Sequence, residues 1–227
     1  MTEAAADKVA AFFHRETKGE MKTILLFTFF GYLMGAIPFS YLVGRLLARK
    51  DIRQVGDGNP GGTNVIRAGG ILAGLLAIAL DIGKGFFPVY LASLQGISSG
   101  WAMIPIVLAP ILGHATQPFL KSRGGKALGT AGGAWAGVIG LWVFWDFTIL
   151  ALLALVFIKD HAWASIIGSS SLILWAVLVD GSAWMIVLSV LTVLLLIWTH
   201  RRELVKTPEL RPWLARRFRK VSYRLSR

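Results

Sequence analysis

Long apolar stretches separated by short polar connections form the pattern of this 227-residue chain. About 20 apolar residues cross the hydrocarbon core of a bilayer as a helix. The pattern predicts seven spans, at residues 23–47, 71–94, 102–120, 128–144, 147–158, 163–179 and 183–199. The fourth and fifth are both short, and only residues 145–146 join them. We therefore predict an all-α, polytopic membrane helix bundle with about seven transmembrane helices.

Basic residues occur only in alternate connections. The first, third and fifth connections carry lysine or arginine, whereas residues 95–101, 145–146 and 180–182 carry none. Cytoplasmic loops of membrane proteins are enriched in these residues. The pattern thus predicts that the basic loops and the C-terminus face the cytoplasm and that the N-terminus lies outside.

The two ends of the chain are polar and flank the membrane domain, which we place at residues 23–200. Residues 1–22 are too polar to span and form a polar N-terminal extension; the start is either Met1 or Met21. Residues 201–227 hold ten Lys or Arg against two acids. Apolar residues recur there at spacings of four, three and four, which predicts a basic amphipathic helix on the cytoplasmic membrane surface; a disordered basic tail is the alternative. These residues are Leu214, Phe218, Val221 and Leu225.

Composition excludes several functions. The chain is 55% hydrophobic and 16% charged, against about 25% charged residues in soluble domains. It has no cysteine and four scattered histidines, so neither a thiolate site nor a metal site is predicted. The net charge is +12, and the basic residues are densest in the segment directly after the last apolar span. This position favours membrane lipids as partners and not nucleic acid.

A glycine-rich segment in the first basic connection is the main candidate for chemistry. It runs from Gly56 to Asn64, and Arg67 follows it. Glycines permit positive φ and exposed N–H groups that bind an anion. A formal G-x-G-x-x-G match is spurious because a membrane helix precedes it. A flexible interhelical turn is the alternative.

A second loop on the same predicted face, residues 121–126, places Gly124 and Gly125 between basic residues. Glycines flanked by cations suit a phosphate that approaches the backbone closely. Positive-inside topology alone would also explain the cations of this loop. Two such loops on one face make a stronger case for phosphate binding than either alone.

Asp81, Lys84 and His114 lie inside the second and third predicted spans. Asp81 and Lys84 share a helix face, and we expect them to form an intrahelical ion pair. His114 precedes the second basic loop by about two helical turns. It either reaches the cytoplasmic site or is a buried, hydrogen-bonded histidine.

Three segments together resemble the bacterial acyl-phosphate:glycerol-3-phosphate acyltransferase family. They are Gly35–Leu42 continuing through Asp51–Arg53 and the glycine loop to Arg67; Leu80-Asp81 with Lys84-Gly85; and Gly113-His114, Pro118-Phe119, Gly124–Lys126 and Thr130. The match is close over about residues 31–130. Beyond it, the helix count and His200-Arg201 carry the resemblance.

The resemblance implies a seven-helix enzyme of the bacterial inner membrane with its active site on the cytoplasmic face. The reaction implied is acyl transfer from acyl phosphate to the 1-hydroxyl of glycerol 3-phosphate, giving lysophosphatidic acid and phosphate without a cofactor. We expect catalytic roles for Asp57, Asn59, Thr63, Asn64 and His114. We expect phosphate binding by Gly58, Gly61, Gly62, Arg67, Gly124, Gly125, Lys126 and Arg201. Further candidates are Lys121, Arg123, Lys159, His200 and Glu203.

The chain departs from the family pattern at three positions. Asp57 stands where the family has serine, and Glu203 stands where a simple alignment gives asparagine. Ala127 replaces the second glycine of the family's Gly-Lys-Gly turn. A carboxylate repels a bound phosphate unless a cation pairs with it or it transfers a proton. Either Asp57 is a general base, or the acceptor is another phosphorylated polyol or lipid, or acyl transfer is lost. A small-solute transporter using Asp81, Lys84 and Asp160 is a further alternative.

Overall fold

The computed structural model describes the backbone of residues 3–120 and 124–213, and side chains from residue 20 onward within these ranges. The described part is almost entirely helical. Its α-helices are α1 (Glu3–Ala36), α2 (Phe39–Leu46), α3 (Gly62–Gly69), α4 (Ile71–Leu94), α5 (Met103–Thr116), α6 (Leu128–Ile139), α7 (Trp142–Phe157), α8 (His161–Ser169), α9 (Ser171–Trp175) and α10 (Ala183–Leu204). Short 3₁₀ turns cover Ile52–Gln54 and Pro118–Leu120, and a π-helical turn covers Ala176–Asp180. The all-α prediction is confirmed.

Five helical stretches are long and apolar enough to cross a membrane. They are Glu20–Leu46, Ile71–Leu94, Met103–Leu120, His161–Asp180 and Ala183–Leu204. They correspond to the first, second, third, sixth and seventh predicted spans. Helices α6 and α7 have only 12 and 16 residues, or about 18 and 24 Å of rise, less than the hydrocarbon core of about 30 Å. Two further spans at these helices stay a prediction.

A proline interrupts the first span. Proline has no backbone N–H and disfavours helix in the residue before it, so α1 ends at Ala36 and α2 begins at Phe39. The break exposes the carbonyl of Ile37, which accepts a hydrogen bond of 2.8 Å from Lys84 Nζ. In lipid, a freed backbone group requires such a partner inside the protein.

Asp81 and Lys84 form the predicted intrahelical ion pair, with 2.7 Å between Lys84 Nζ and Asp81 Oδ1. The side chain of Lys84 is fully buried. Ser40 Oγ donates to Asp81 Oδ2 at 2.5 Å. The pair therefore joins α4 to the broken first span, and the interaction is structural.

Glycines bring helix backbones into direct contact at the centre of the bundle. A Cβ on Gly85 of α4 would overlap the carbonyl of Thr130 in α6, and one on Gly133 would overlap the carbonyl of Ile82. Small residues at crossings allow this approach in membrane proteins. The α4–α6 crossing supports the turn that precedes α6.

The connection between the fourth and fifth apolar segments was predicted at residues 145–146, and this boundary is wrong. Helix α6 ends before Gly140, whose φ of 81° is left-handed, and α7 begins at Trp142. Glycine adopts positive φ without the steric cost of a Cβ. The glycine therefore sets the break, and the aromatic residues after it start α7.

The polar ends continue the membrane helices. Helix α1 starts at Glu3 and has no break near residue 22, and α10 ends at Leu204. The following residues fold back on the end of α7, since Arg211 N–H donates to the Phe157 carbonyl at 2.8 Å. The predicted amphipathic helix at residues 214–225 lies outside the described residues.

Candidate active site

The glycine loop is a hydrogen-bonded turn and not a loose connection. Gly56 and Gly58 have φ of 62° and 74°, in the left-handed region that favours glycine. Four N–H groups of the loop have acceptors within it: Gly58 on Val55, Asn59 on Asp57, and Gly61 and Asn64 on neighbouring carbonyls. The loop therefore does not offer these four N–H groups to an anion.

Asn64 holds the loop from inside. Its Nδ2 donates to Asp57 Oδ1 at 2.8 Å and to the Asn59 carbonyl at 2.9 Å. Its Oδ1 accepts from Arg67 at 2.9 Å. The side chain is buried, and both amide protons are used, so Asn64 positions the loop and Arg67.

Lys126 joins the glycine loop to the end of α10. Its Nζ lies 2.8 Å from Asp57 Oδ2 and 3.3 Å from Glu203 Oε1. The side chains of Lys126, Asp57 and Glu203 are 26%, 41% and 39% exposed, respectively. Two of the three departures from the family pattern thus meet at one lysine.

Asp57 is a strongly acidic carboxyl group. Partial burial on its own would raise the pKa of Asp57, but hydrogen bonds from Lys126, the Asn59 N–H and Asn64, with the charge of Lys126, lower it to about 2. Donors that stabilise a carboxylate always act in this direction. Asp57 is therefore ionised at neutral pH and is a poor proton acceptor.

The turn that carries Lys126 lies directly on the end of α5. Gly125 N–H donates to the His114 carbonyl at 3.1 Å, and a Cβ on Gly124 would overlap the carbonyl of Ala115. Thr199 Oγ1 donates to the Lys126 carbonyl at 3.1 Å. Backbone approach at two glycines therefore sets the position of the lysine.

His114 lies beneath the turn and does not line the cleft described next. It is buried, and its Nδ1 is 3.0 Å from Thr130 Oγ1 and 3.8 Å from Asp81 Oδ1. A Cβ on Gly125 would overlap its Nε2. Of the two interpretations, the geometry favours a buried histidine that supports the turn.

A cleft of about 590 Å³ opens between the glycine loop, the turn before α6 and the end of α10. Four cationic and two carboxylate side chains line it: Arg53, Lys126, Arg201, Arg202, Asp57 and Glu203. Four positive and two negative side chains leave a net charge of +2 at the cleft, which favours an anionic group. Neutral lining residues are Gly58, Asn59, Ala115, Thr116, Gly124, Gly125, Trp198 and Thr199.

Sequence reasoning missed two of these cations. Arg53 binds Asp51 through two hydrogen bonds of 2.9 and 2.7 Å, which lower the pKa of Asp51 to about 2. Arg202 is exposed and follows Arg201, whose guanidinium lies 5.0 Å from the Trp198 ring centroid. Positive-inside topology already explained such residues, so no signal singled them out.

Several other candidates lie away from the cleft. Thr63 is exposed at the start of α3, where Gly61 and Gly62 also lie. His200 is buried in α10, and its Nδ1 lies 2.9 Å from the Leu196 carbonyl. Lys159 pairs with Glu209 at 3.2 Å. Lys121 and Arg123 lie outside the described residues. No three His, Asp or Glu side chains of the described residues group as metal ligands.

Comparisons with known proteins place this geometry in a family context. A family model described as glycerol-3-phosphate acyltransferase matches residues 25–208. Glycerol-3-phosphate acyltransferase of Maridesulfovibrio salexigens is 33% identical over 176 residues, which is 77% of this chain and 88% of that protein. Glycerol-3-phosphate acyltransferase 1 of Deinococcus radiodurans is 36% identical over 187 residues, 81% of this chain and 91% of that protein.

Two crystal structures of PlsY (YgiH), an integral membrane glycerol 3-phosphate acyltransferase, have the same fold. The glycerol 3-phosphate form is 30% identical with a TM-score of 0.70, covering 80% of this chain and 90% of PlsY. The lysophosphatidic acid form is 29% identical with a TM-score of 0.69, covering 80% and 89%.

Proposed function

This chain belongs to the glycerol-3-phosphate acyltransferase family, and from that premise we propose that it acylates the 1-hydroxyl of glycerol 3-phosphate. We propose acyl phosphate as the donor, with lysophosphatidic acid and phosphate as products. The observation that carries the proposal is the cationic cleft between the glycine loop and the end of α10. Both substrates bring a phosphate, and the cleft offers four cationic side chains.

The reaction needs little covalent chemistry from the protein because an acyl phosphate is already activated. The acceptor oxygen attacks the carbonyl carbon and forms the ester bond. The bond from that carbon to the phosphate oxygen breaks, and phosphate leaves with the electron pair. Positioning of the two substrates and stabilisation of the developing charge would supply the rate.

Side chains of the cleft would bind the phosphates. Lys126 lies in the turn before α6, Arg201 and Arg202 lie in the last turn of α10, and these three residues line the cleft together with Arg53. Arginine binds phosphate oxygens through two parallel hydrogen bonds. Asn59 lines the cleft and would orient the acceptor, while Asn64 and Arg67 would hold the loop that carries it.

The proton of the acceptor hydroxyl would go to the departing phosphate. A phosphate monoester binds its second proton with a pKa of about 6, whereas the pKa of Asp57 is lowered to about 2. The phosphate is therefore the stronger base of the two. Asp57 would act as a positioning residue and not as a general base.

The cleft would face the cytoplasm of a bacterial cell with the protein in its inner membrane. Its charged lining residues come from the first and third connections and from the start of the basic C-terminal segment, and the connections predicted to face outward hold no Lys or Arg. Basic loops remain on the cytoplasmic side. Glycerol 3-phosphate is water-soluble, while the acyl chains of donor and product would stay in the bilayer.

Phosphate release tests the proposal. The purified protein in lipid vesicles receives palmitoyl phosphate with or without glycerol 3-phosphate. We expect release that requires the acceptor and falls at least about 100-fold in Lys126→Ala, as for loss of a transition-state charge partner. Lys206→Ala, an exposed lysine outside the cleft, should keep wild-type release. Phosphate release at the same rate without glycerol 3-phosphate, or wild-type release by Lys126→Ala, would contradict the assignment.

A second candidate is acyl transfer to another phosphorylated polyol or lipid. The observation in its favour is the pair of carboxylates on Lys126, which suits an acceptor with hydrogen-bond donors beside its phosphate. Release with such an acceptor, and none with glycerol 3-phosphate, would select it. The transport alternative gains no support, because Asp81 and Lys84 are paired and buried while Asp160 binds the Glu209 N–H at the surface.

A further inference from the structure

The contacts of Lys126 are unusual for the central cation of a phosphate-binding cleft. Two carboxylates contact its Nζ, Asp57 at 2.8 Å and Glu203 at 3.3 Å. They come from two elements far apart in the chain, the glycine loop and the end of α10. With both ionised, this group of three side chains carries one net negative charge.

A phosphate that binds Lys126 must therefore approach both carboxylates. Like charges a few ångströms apart repel one another in a partly exposed site. Glu203 adds to the repulsion, because its Oε2 is buried and has no hydrogen-bond partner among the described residues. Lys126 therefore contacts only one of the two carboxylate oxygens of Glu203.

The two oxygens of Asp57 have different tasks. Oδ1 accepts from the Asn59 N–H and from Asn64 and so holds the glycine loop. Oδ2 contacts only Lys126 among the described residues. Oδ1 alone is enough to hold the glycine loop. The loop geometry therefore does not explain the contact between Oδ2 and Lys126.

We propose that Asp57 and Glu203 are specificity-determining residues that compete with the substrate phosphate for Lys126 and weaken the binding of phosphate dianions. The inference rests on the proposed function, which places a phosphate at this lysine. The carboxylates occupy the lysine when the cleft is empty and oppose the second negative charge of a bound monoester. The enzyme then holds its acceptor weakly.

Binding of inorganic phosphate tests this without any turnover. The variants are Glu203→Gln, Asp57→Asn and the double variant, which keep side-chain shape and leave Oδ1 of residue 57 as an acceptor for the loop. Glu209→Gln is the matched control, since it removes the same charge from an exposed carboxylate that pairs with Lys159 outside the cleft. Binding is followed as the rise in the thermal unfolding midpoint with phosphate concentration.

We expect the dissociation constant of phosphate to fall about two- to fivefold in each single variant and about tenfold in the double variant, as for the loss of partly exposed charges. The control should match the wild type. Equal or weaker binding in Glu203→Gln and the double variant would overturn the proposal, and Glu203→Gln alone decides it where Asp57→Asn does not fold.

Turnover then separates this inference from the proposed function. In the phosphate-release assay, the KM for glycerol 3-phosphate should fall by the same factor in Glu203→Gln while kcat stays within about twofold, as for interactions made equally in ground and transition states. An unchanged or higher KM in an active Glu203→Gln enzyme would count against the carboxylates as competitors. Absence of acceptor-dependent release in the wild type and in Glu209→Gln would instead refute the acyltransferase, and the phosphate-binding comparison would still decide the role of the carboxylates.

Discussion

Asp57 links the folding of the glycine loop to pH. Its pKa is lowered from 3.8 to about 2 in the folded protein by Lys126, Asn59 and Asn64, against the opposing effect of burial. A carboxyl with a depressed folded pKa contributes stability that is present above pH 3.8 and is lost as the pH falls through about 2. The loop contacts of Asp57 should therefore stabilise the protein throughout the neutral range.

Comparison of wild type and Asp57→Asn isolates this contribution. We expect the wild type to unfold at the higher temperature by a constant margin from pH 7 to about pH 5, and the margin to shrink below about pH 4. Thermal unfolding in detergent without phosphate measures both proteins across this range. A margin that keeps its neutral value down to pH 3 would show that the contacts of the ionised Asp57 carboxylate add nothing to stability.

Most residues that line the cleft could be predicted from the sequence, but the contacts between them could not. Glycines between cations identified Lys126, and the loop motif identified Asp57 and Asn59. The contact of Lys126 with Glu203 depends on where α10 ends relative to the turn before α6, which is a tertiary property. No local pattern contains it. The loop also uses four of its own N–H groups, which glycine content alone did not indicate.

At the level of helices, the crossing of α4 and α6 depends on glycines that have no side chain at the contact, and Gly85 is the one on α4. A Cβ at position 85 would overlap the backbone of Thr130, whereas one at Gly83 on the same helix would meet only the Phe87 ring at 3.4 Å. We expect Gly85→Ala to destabilise the protein by about 1–3 kcal/mol, as overpacking does. Gly83→Ala should be near neutral. Thermal unfolding midpoints in detergent compare the two.

The same crossing supports the turn that carries Lys126, so activity provides a second measurement. Separation of α4 and α6 would shift the start of α6, and Gly85→Ala should therefore lose acyl transfer more than Gly83→Ala does. Equal midpoints and equal activities for the two variants would mean that the helices move apart without cost.

Helix positions were predictable wherever an apolar stretch had a clear local end. The second span was predicted at residues 71–94, and α4 has these bounds. The first span was predicted as one helix because the apolar stretch continues through Pro38. In the structure, Pro38 separates α1 from α2. The α6–α7 connection was predicted at residues 145–146 because the apolar pattern continues past Gly140, where the helix breaks. Both differences arise where one residue with special backbone geometry overrides a continuous apolar pattern.

For the molecule as a whole, five long spans and seven spans place the two ends on opposite sides of the membrane equally well, since both numbers are odd. The two arrangements differ only at the α6–α7 connection. Seven spans put Leu141 at the outer surface, whereas five spans with a re-entrant α6–α7 pair leave it within the bilayer. Leu141 is 70% exposed and Trp142 beside it is 75% exposed. Tryptophan concentrates at membrane interfaces, and short spans are tolerated when the bilayer thins locally, so we expect seven spans.

Single cysteines decide this directly, because the chain has none of its own. Leu141→Cys in intact cells should react with a membrane-impermeant maleimide as fully as Ser99→Cys, which lies in the connection before α5. Gln54→Cys, beside the glycine loop, should react only after the cells are permeabilised. If Leu141→Cys resists the reagent while both reference positions behave as expected, α6 and α7 enter and leave on the same side. The turn with Lys126 would then begin a re-entrant pair, and the cleft would lie against a hairpin that does not cross the bilayer.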